Sequence, residues 1–303
     1  MNSYKNEQKS EAIQLISYDK ISKKFQLCPQ AESFLTTING PIGVISVAGM
    51  YRTGKSYLLN RVILNSQSGF NVGPTINPCT KGLWIWSNAL PGYSPDGSSI
   101  NIILIDTEGI GSTDEESNHD TKIFTLSILL SSYFLYNSVG SIDENAIQNL
   151  SFIVNLTRHI QIKNGTTEND FEDYSQYFPS FMWIVRDFSL QLVDEENEPI
   201  TSKEYLEKNL EKQKGGMFEP VEQKNKIRKL LRSFFKERDC FTLVRPLIDE
   251  ENLQCLEKIE MDQLRPEFVE QIFTLRKKVM NKVKPKMLNG KKLNGEMFVN
   301  LIK

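Results

Sequence analysis

The sequence predicts an α/β fold with a doubly wound, mostly parallel sheet, helices on both faces and a helical C-terminal extension. Short apolar runs bounded by turn residues alternate with stretches of helical periodicity, as in buried parallel strands joined by helices. The predicted strands cover residues 42–48, 83–86, 100–105, 181–185 and 241–244. The second and third are joined by the loop PGYSPDGSS, which suits an antiparallel pair.

Helical periodicity predicts helices over residues 55–64, 123–136, 143–156, 202–210, 222–235, 266–280 and from 294 onward. Between Lys122 and Asp143 the chain carries no charge, but its strongly apolar part, residues 123–136, is shorter than the roughly 20 residues of a bilayer span. We therefore expect a buried helix there and no membrane span. The chain divides into an N-terminal extension packing on the core (1–40), a main domain (41–250) and a helical extension (251–303).

The composition of the chain limits which classes of function are possible. The 36 basic and 38 acidic residues give a net charge of −2, so no global field favours nucleic acid or an anionic membrane. The four cysteines show no C-x-x-C spacing and indicate reduced thiols, and the N-terminus lacks a signal peptide, so we predict a cytoplasmic protein. From Arg276 onward the sequence contains nine basic residues and one acidic residue, Glu296. They form either a solvated face or a docking surface for an acidic partner or a downstream domain.

Residues Gly49–Ser56 read GMYRTGKS and fit the phosphate-binding loop pattern G-x-x-x-x-G-K-[ST], with a predicted strand before and a helix after. Glycines let successive backbone N–H groups point at phosphate oxygens, and the helix N-terminus adds a favourable dipole. Lys55 is the predicted charge on the β- and γ-phosphates, and the Ser56 hydroxyl is a predicted Mg²⁺ ligand. The alternative is a glycine turn without a ligand.

The segment NIILIDTEG ends a predicted strand with Asp106, the position at which a phosphate-loop protein places the carboxylate that holds Mg²⁺. Gly109 suits a backbone that approaches a γ-phosphate closely. Glu108 is predicted to orient the attacking water or a neighbouring loop. The alternatives are a strand-end turn residue for Asp106 and a structural carboxylate for Glu108.

Residues 72–82, VGPTINPCTKG, form a polar loop punctuated by glycine and proline that can order over a γ-phosphate. Thr75 and Thr80 are both candidate Mg²⁺ ligands, and the pattern does not choose between them. Arg52 lies inside the phosphate loop, where a cation can act as an arginine finger supplied in cis. A solvent-facing arginine is the alternative.

The choice of base depends on residues 181–187, FMWIVRD, a buried strand that ends in Arg186 and Asp187. A carboxylate accepts hydrogen bonds from guanine N1–H and N2–H₂, and a doubly wound sheet places such groups at the carboxyl ends of its strands. Asp187 is therefore the predicted guanine ligand, Arg186 shields or stacks on the base, and the loop with Arg245 caps it. An ATP-dependent enzyme requires Asp187 to be structural.

The segments GMYRTGKSYLLN, TKGLWIW, LIDTEGIG, LLSSYFLYNSVGSI, VRDFSL and VRP resemble the large GTPase domain of guanylate-binding proteins, with atlastins as more distant relatives. The resemblance covers about residues 42–303. It implies that Thr80 is the Mg²⁺-binding switch threonine, that Arg52 is the internal arginine finger, and that Asp106 and Glu108 belong to the second switch. The nucleotide-binding set that follows comprises Gly49, Tyr51, Arg52, Thr53, Gly54, Lys55, Ser56, Tyr57, Gly109, Arg186, Asp187 and Arg245.

Catalysis is accordingly predicted for Arg52, Lys55, Thr80 and Glu108. The resemblance further implies GTP-dependent dimerisation through the GTPase heads and a downstream helical domain that this sequence does not contain. Pro78 replaces a serine that positions the nucleophilic water in well-known vertebrate members, and Cys79 replaces a histidine. Two functions follow: a Mg²⁺-dependent GTPase, or an assembly module that GTP gates with slow or no hydrolysis.

Overall fold

The computed structural model describes residues 10–19, 21–22, 24–72, 81–110, 117–151, 153, 177–213 and 219–303. A nine-stranded sheet runs through these residues. Its strands are β1 Ala12–Asp19, β2 Lys24–Leu27, β3 Ile42–Gly49, β4 Leu83–Trp86, β5 Leu90–Tyr93, β6 Ser99–Thr107, β7 Tyr133–Val139, β8 Ser180–Arg186 and β9 Arg238–Thr242. A separate hairpin pairs β10 Met287–Leu288 with β11 Lys291–Lys292.

The strand order is β2-β1-β4-β6-β3-β7-β8-β9, with β5 also paired to β6. The neighbours β6, β3, β7, β8 and β9 are parallel, whereas β1, β2, β4 and β5 form antiparallel pairs. The antiparallel pairing of β4 with β6 confirms the prediction for that loop-connected pair. Because the five parallel strands end at one edge of the sheet, a ligand site is expected there.

Helices cover both faces of the sheet. They are α1 Pro29–Thr36, α2 Lys55–Leu58, α3 Ser117–Leu130, α4 Glu144–Gln148, α5 Ser202–Asn209, α6 Glu219–Phe234, α7 Glu250–Leu253, α8 Pro266–Met280 and α9 Gly295–Ile302. The second helix continues as a π-helix over Leu59–Leu64. Leu256–Lys258 and Met261–Gln263 are short 3₁₀ turns.

Alternate residues of β7 show how the sheet is covered. Phe134 and Tyr136 pack in one core with side chains of α3 and α6, whereas Tyr133 and Leu135 pack in another with side chains of α2 and α8. Successive strand residues point to opposite faces, so both faces are buried. The predicted doubly wound α/β class is confirmed.

Two predicted helices are wrong over their last residues. The helix predicted over residues 143–156 is α4, which ends at Gln148 and is followed by a turn at residues 149–151. Residues 123–136 were expected to be helical, but α3 ends at Leu130 and β7 begins at Tyr133, where it pairs with β3 and β8. Both elements are buried, so the apolar run continues across the boundary and hides it. Within the residues that the structure describes, no helix is long and apolar enough to cross a membrane.

Four further differences concern strands. The loop predicted between the antiparallel pair contains a strand, because Leu90–Tyr93 forms β5 and pairs with β6. Residues 12–27 form β1 and β2, which extend the sheet beside β4, although no strand was predicted there. The last strand of the sheet begins at Arg238, three residues before the predicted start at residue 241. The C-terminal extension is mostly helical but includes the hairpin β10–β11. The proposed division into three segments stays a prediction.

Many basic residues of the C-terminal extension form ion pairs with the rest of the chain. Lys278 and Lys282 both contact the buried carboxylate of Asp239, at 2.9 and 2.7 Å. The other pairs are Lys284 with Glu237, Lys292 with Asp96 and Lys303 with Glu32. Exposed pairs contribute little stability each, but two lysines on one buried carboxylate fix α8 against β9. This favours the interpretation as a solvated, ion-paired face.

Candidate functional site

The phosphate loop connects β3, buried along its whole length, to α2. Gly54, the N-cap of α2, lies in the left-handed region at φ +76°, which favours glycine. A Cβ there would lie 2.4 Å from Nη1 of Arg186. At Gly49 a Cβ would lie 2.0 Å from the carbonyl oxygen of Asn137 on β7. Both glycines of the motif are thus required by close approaches of neighbouring groups.

Lys55 is the buried cation of the site. It is 7% exposed, and its Nζ donates to the carbonyl oxygen of Met50 at 3.2 Å. Burial lowers the pKa of Lys55, while the nearby charges of Asp106 and Glu108 act in the opposite direction. The ammonium therefore lies beneath the loop with two carboxylates for electrostatic support.

Ser56 and Asp106 come together from α2 and β6. The Ser56 hydroxyl donates to Oδ2 of Asp106 at 2.5 Å. This pairing follows from the register of the parallel strands, in which Asp106 lies opposite Val47 near the end of β3. A hydroxyl and a carboxylate oxygen are donors of the kind that Mg²⁺ prefers, so the pair fits that ion chemically.

The loop also bonds to the segment after β6. The N–H of Tyr51 donates to the carbonyl oxygen of Ile110 at 2.9 Å, and the N–H of Ile110 donates to the carbonyl oxygen of Gly49 at 3.1 Å. A Cβ on Gly109 would lie 2.5 Å from Cα of Tyr51 and 3.0 Å from Nζ of Lys55. Gly109 thus permits the close contact between the two segments, whereas its approach to a γ-phosphate stays a prediction.

Arg52 is exposed and takes a left-handed conformation at φ +62°. Its guanidinium carbon lies 5.4 Å from the centre of the Tyr51 ring. The next residue, Thr53, closes the loop internally, because its hydroxyl donates to the Met50 carbonyl at 2.9 Å. The structure thus places Arg52 at the solvent side of the loop and Lys55 on the buried side.

Glu108 is buried and bonds to the start of β4. Its Oε2 accepts from the N–H of Gly82 at 2.8 Å, and its own N–H donates to the Gly82 carbonyl at 3.0 Å. The same Oε2 lies 3.2 Å from Nε2 of His119 on α3. Glu108 therefore holds a neighbouring loop end, one of the two roles considered from the sequence. Thr75, Pro78, Cys79 and Thr80 lie outside the described residues.

Arg186 and Asp187 follow β8 at the same edge. The buried guanidinium of Arg186 donates to the carbonyl oxygens of Thr53 at 3.4 Å and Gly54 at 3.2 Å, and lies 5.7 Å from the Tyr57 ring centre. Burial lowers the pKa of Arg186, opposed by the charge of Asp187. Asp187 has φ +54°, and within the described part of the chain its buried Oδ1 has no hydrogen-bond partner.

Tyr57 and Arg245 are the remaining predicted contacts. Tyr57 is buried between Arg186 and Arg61, whose guanidinium lies 5.6 Å from the ring centre, so its ring supports the arginine beside the base position. Arg245 pairs with Glu250 at 3.4 Å, with side chains that are 41% and 82% exposed. The functional roles of all these residues stay predictions.

Sequence reasoning missed Asn137 and His119. The amide of Asn137 donates to the Thr53 carbonyl at 2.8 Å, and its buried Oδ1 has no hydrogen-bond partner in the described parts of the chain. In the sequence, Asn137 only interrupts an apolar run. Only the structure shows that Asn137 lies on a strand, β7, which pairs with β3, the strand before the phosphate loop.

Comparisons with known proteins agree with this geometry. A family model for the N-terminal domain of guanylate-binding proteins matches residues 22–288. Guanylate-binding protein 1 of Chlorocebus aethiops is 38% identical over 279 residues, covering 90% of this chain and 46% of that protein. The human guanylate-binding proteins 1 and 2 are 37% and 36% identical with the same coverage. The chain thus spans about half the length of these relatives.

Proposed function

The chain belongs to the guanylate-binding protein family of GTPases, and from this premise we propose that it binds GTP with Mg²⁺ and hydrolyses it to GDP and phosphate. One observation carries the proposal. The buried Lys55, the pair Ser56–Asp106 and the glycine-lined loop meet at the carboxyl edge of the parallel sheet. This arrangement has the cation, the metal donors and the backbone shape that a triphosphate with Mg²⁺ requires.

Binding of phosphate would exchange one partner of Lys55 for another. Among the residues that the structure describes, its ammonium donates to the neutral backbone carbonyl of Met50 at 3.2 Å. A phosphate oxygen carries negative charge and is a stronger acceptor, particularly where little water reaches. The N–H groups at the start of α2 add further donors. We therefore assign Gly49, Thr53, Gly54 and Lys55 to the phosphates.

Mg²⁺ is assigned to the Ser56 hydroxyl and the Asp106 carboxylate, with Thr80 as the third ligand implied by the family. The donor set fits because both described side chains offer oxygen and already touch at 2.5 Å. Bound Mg²⁺ neutralises charge on the β- and γ-phosphates. Holding the ion from two elements, α2 and β6, ties the phosphate loop to the segment with Glu108.

In hydrolysis a water oxygen forms a bond to the γ-phosphorus. The bond between the γ-phosphorus and the bridging oxygen breaks, and the electron pair of that bond stays on the oxygen of GDP. Lys55 stabilises charge on the transferring phosphoryl group. Arg52 is assigned as the internal arginine finger, and its exposed side chain leaves it free to turn towards the phosphates when a partner covers the loop. Glu108 holds the start of β4, two residues after Thr80.

Guanine is assigned to Asp187. Its buried Oδ1, which has no hydrogen-bond partner among the described residues, would gain hydrogen bonds from the base N1–H and N2–H₂, so guanine binding would supply the missing donors. Adenine carries no proton on N1 and would leave the carboxylate unsatisfied. Arg186, held by the backbone of the phosphate loop, links the base side to the phosphate side.

Partners and location follow from the same premise. We propose a homodimer through the GTPase heads when GTP is bound, because Arg52 is exposed where a second copy can cover it. The described cysteines Cys28, Cys240 and Cys255 are free thiols, which supports a cytoplasmic location. Since the relatives are about twice as long, a downstream helical domain is a further expectation.

The second candidate function is an assembly module that GTP gates with slow or no hydrolysis. It is favoured by Pro78, which has no side-chain hydrogen-bond group to position a water, at a position where the family resemblance implies a serine. In that case GTP stabilises the dimer and Glu108 acts only as a structural carboxylate.

Turnover of GTP and ATP with Mg²⁺, measured across protein concentrations with product identification by chromatography, tests both functions. We expect GTP-specific turnover whose activity per protein rises with concentration. Asp187→Asn replaces an acceptor with an amide N–H, so GTP affinity should fall about 10–100-fold, the equivalent of one hydrogen bond to a charged group. ATP affinity is the matched control and should stay within twofold.

Equal turnover of GTP and ATP by the unaltered protein would contradict the assignment of Asp187 to guanine. Dimerisation with GTP but no turnover would favour the assembly module instead.

A further inference from the structure

His119 contacts the Glu108 carboxylate from another element. Its Nε2 lies 3.2 Å from Oε2 of Glu108, and both side chains are about 95% buried. An ionised carboxylate only accepts hydrogen bonds, so the ring must present its proton at Nε2. In the described residues Nδ1 of His119 has no hydrogen-bond partner. A proton on Nε2 therefore satisfies the contact between the two side chains.

The other sides of the imidazole pack against the N-terminal hairpin β1–β2. The ring centre of Tyr18 lies 4.6 Å from that of His119 in an edge arrangement, and that of Phe25 lies 5.6 Å away in a stacked one. Two aromatic neighbours restrict rotation of the imidazole. The hairpin therefore fixes the direction in which Nε2 points, and that direction is towards Glu108.

The second partner of Glu108 depends on the same hairpin. Gly82 immediately precedes β4, which pairs with β1 through Leu83 and Ile16. A Cβ on Gly82 would lie 2.3 Å from the Ile16 carbonyl oxygen, so the two backbones touch. Glu108 is thus bonded to two groups, Gly82 and His119, and both of them contact the hairpin.

We propose that His119 is a positioning residue: its Nε2–H holds the Glu108 carboxylate on Gly82 and thereby fixes the chain two residues after Thr80. The proposal rests on the GTPase function for its catalytic consequence. Loss of the contact leaves phosphate and base groups in place but loosens the loop end that must be ordered during hydrolysis. It should therefore lower kcat and spare nucleotide affinity.

The kinetic test compares His119→Leu, which removes the donor, with His119→Gln, whose amide N–H can still reach Glu108. We expect His119→Leu to lower kcat about tenfold with GTP affinity within twofold of the original, since small misplacements of catalytic groups have effects of this order or larger. His119→Gln should recover most of the rate. Equal rates for the original protein and His119→Leu, or a parallel loss in both variants, would overturn the proposal.

A nuclear magnetic resonance measurement tests the contact without hydrolysis. The chain has two histidines, so His159→Gln leaves a single imidazole. Long-range ¹H–¹⁵N spectra should show the proton on Nε2, and the Gly82 amide should exchange with solvent more slowly in this protein than after His119→Leu. A proton on Nδ1, or unchanged Gly82 exchange, contradicts the positioning role. If these signatures hold but the original protein does not hydrolyse GTP, the proposed function fails and the contact stands.

Discussion

Two lysines are buried at opposite ends of the central strands, and their surroundings differ. Lys55 lies beyond the end of β3, is 7% exposed and has Asp106 and Glu108 as nearby charges. Lys286 lies at the beginning of β3, where its N–H donates to the Ile42 carbonyl, and is 6% exposed. Its Nζ donates to the carbonyl of Ser131 at 2.7 Å, one residue after α3 ends.

Burial lowers the pKa of both lysines, but only at Lys55 do nearby carboxylates oppose that effect; burial alone brings the pKa of Lys286 to about 8. The carbonyl that holds Lys286 belongs to a helix C-terminus, which a cation stabilises. A lysine that lies near two carboxylates and donates to a backbone carbonyl at 3.2 Å suits a ligand site. A lysine that closes a helix end suits a structural role. Variants at the two ends should separate these roles.

Lys55→Met should have the largest effect. Removal of the ammonium takes away charge stabilisation of the transferring phosphoryl group, so kcat/KM for GTP should fall about 10²–10³-fold, the scale for one preorganised donor. Stability should fall as well, because Asp106 and Glu108 lose their neighbouring cation. Turnover is compared on samples that show a cooperative unfolding transition. A folded variant within tenfold of the original activity would contradict the assignment of Lys55.

Gly54→Ala should disrupt the phosphate loop at the carboxyl end of the parallel strands, because the added Cβ has no room. The alanine Cβ would meet the Arg186 guanidinium at 2.4 Å in addition to the left-handed strain at φ +76°. Gly97→Ala is the matched control, because Gly97 has φ +81° and nothing within 4 Å of its Cβ position. We expect the control to lose about 1–2 kcal/mol of unfolding free energy from strain alone.

Gly54→Ala should lose roughly 1–3 kcal/mol more than the control, as overpacking does, together with GTP affinity. Denaturant unfolding and nucleotide titration of both variants measure these differences. Equal losses for the two glycines would show that the contact between Gly54 and Arg186 does not constrain the loop.

The two ends of the central strands, near Lys55 and near Lys286, also differ in how well the sequence predicts them. The phosphate loop, Asp106 and the strand before each were found from local patterns, because their chemistry depends on residues adjacent in the chain. Helix α8 was predicted with the bounds Pro266–Met280, since Pro at its first turn and a regular apolar stripe define it.

Contacts between distant segments could not be found in this way. Asn137 reaches Thr53, and His119 reaches Glu108, only because the strand order brings their elements together. The four residues of β2, which alternate between exposed and partly buried, show no strong strand pattern in the sequence. The buried apolar run that continues through Tyr133 does not show where the preceding helix ends. Lys286 was counted among basic surface residues, because the sequence does not show which lysine of that extension is buried.

Lys286→Met should have the smallest effect and should appear in the pH dependence of stability. The folded-state pKa of Lys286 is about 8, below the ordinary value of about 10.4 in unfolded chains. Between these values the unfolded chain binds more protons, so the unfolding free energy should rise with pH. From pH 8 to 9 the expected rise from this group is about 1 kcal/mol.

Burial raises the pKa of Cys240 to about 12 and also raises those of Tyr133 and Tyr136. These groups give the opposite slope at higher pH, because the unfolded chain then loses protons first. They are present in both proteins, so the difference between the original chain and Lys286→Met isolates the lysine. We expect the unfolding free energy of the original chain to rise by about 1 kcal/mol relative to that of Lys286→Met as pH rises from 8 to 9, while GTP turnover stays unchanged. Parallel stability curves would mean that burial does not perturb Lys286, and lost turnover would mean that the two ends of the sheet are coupled.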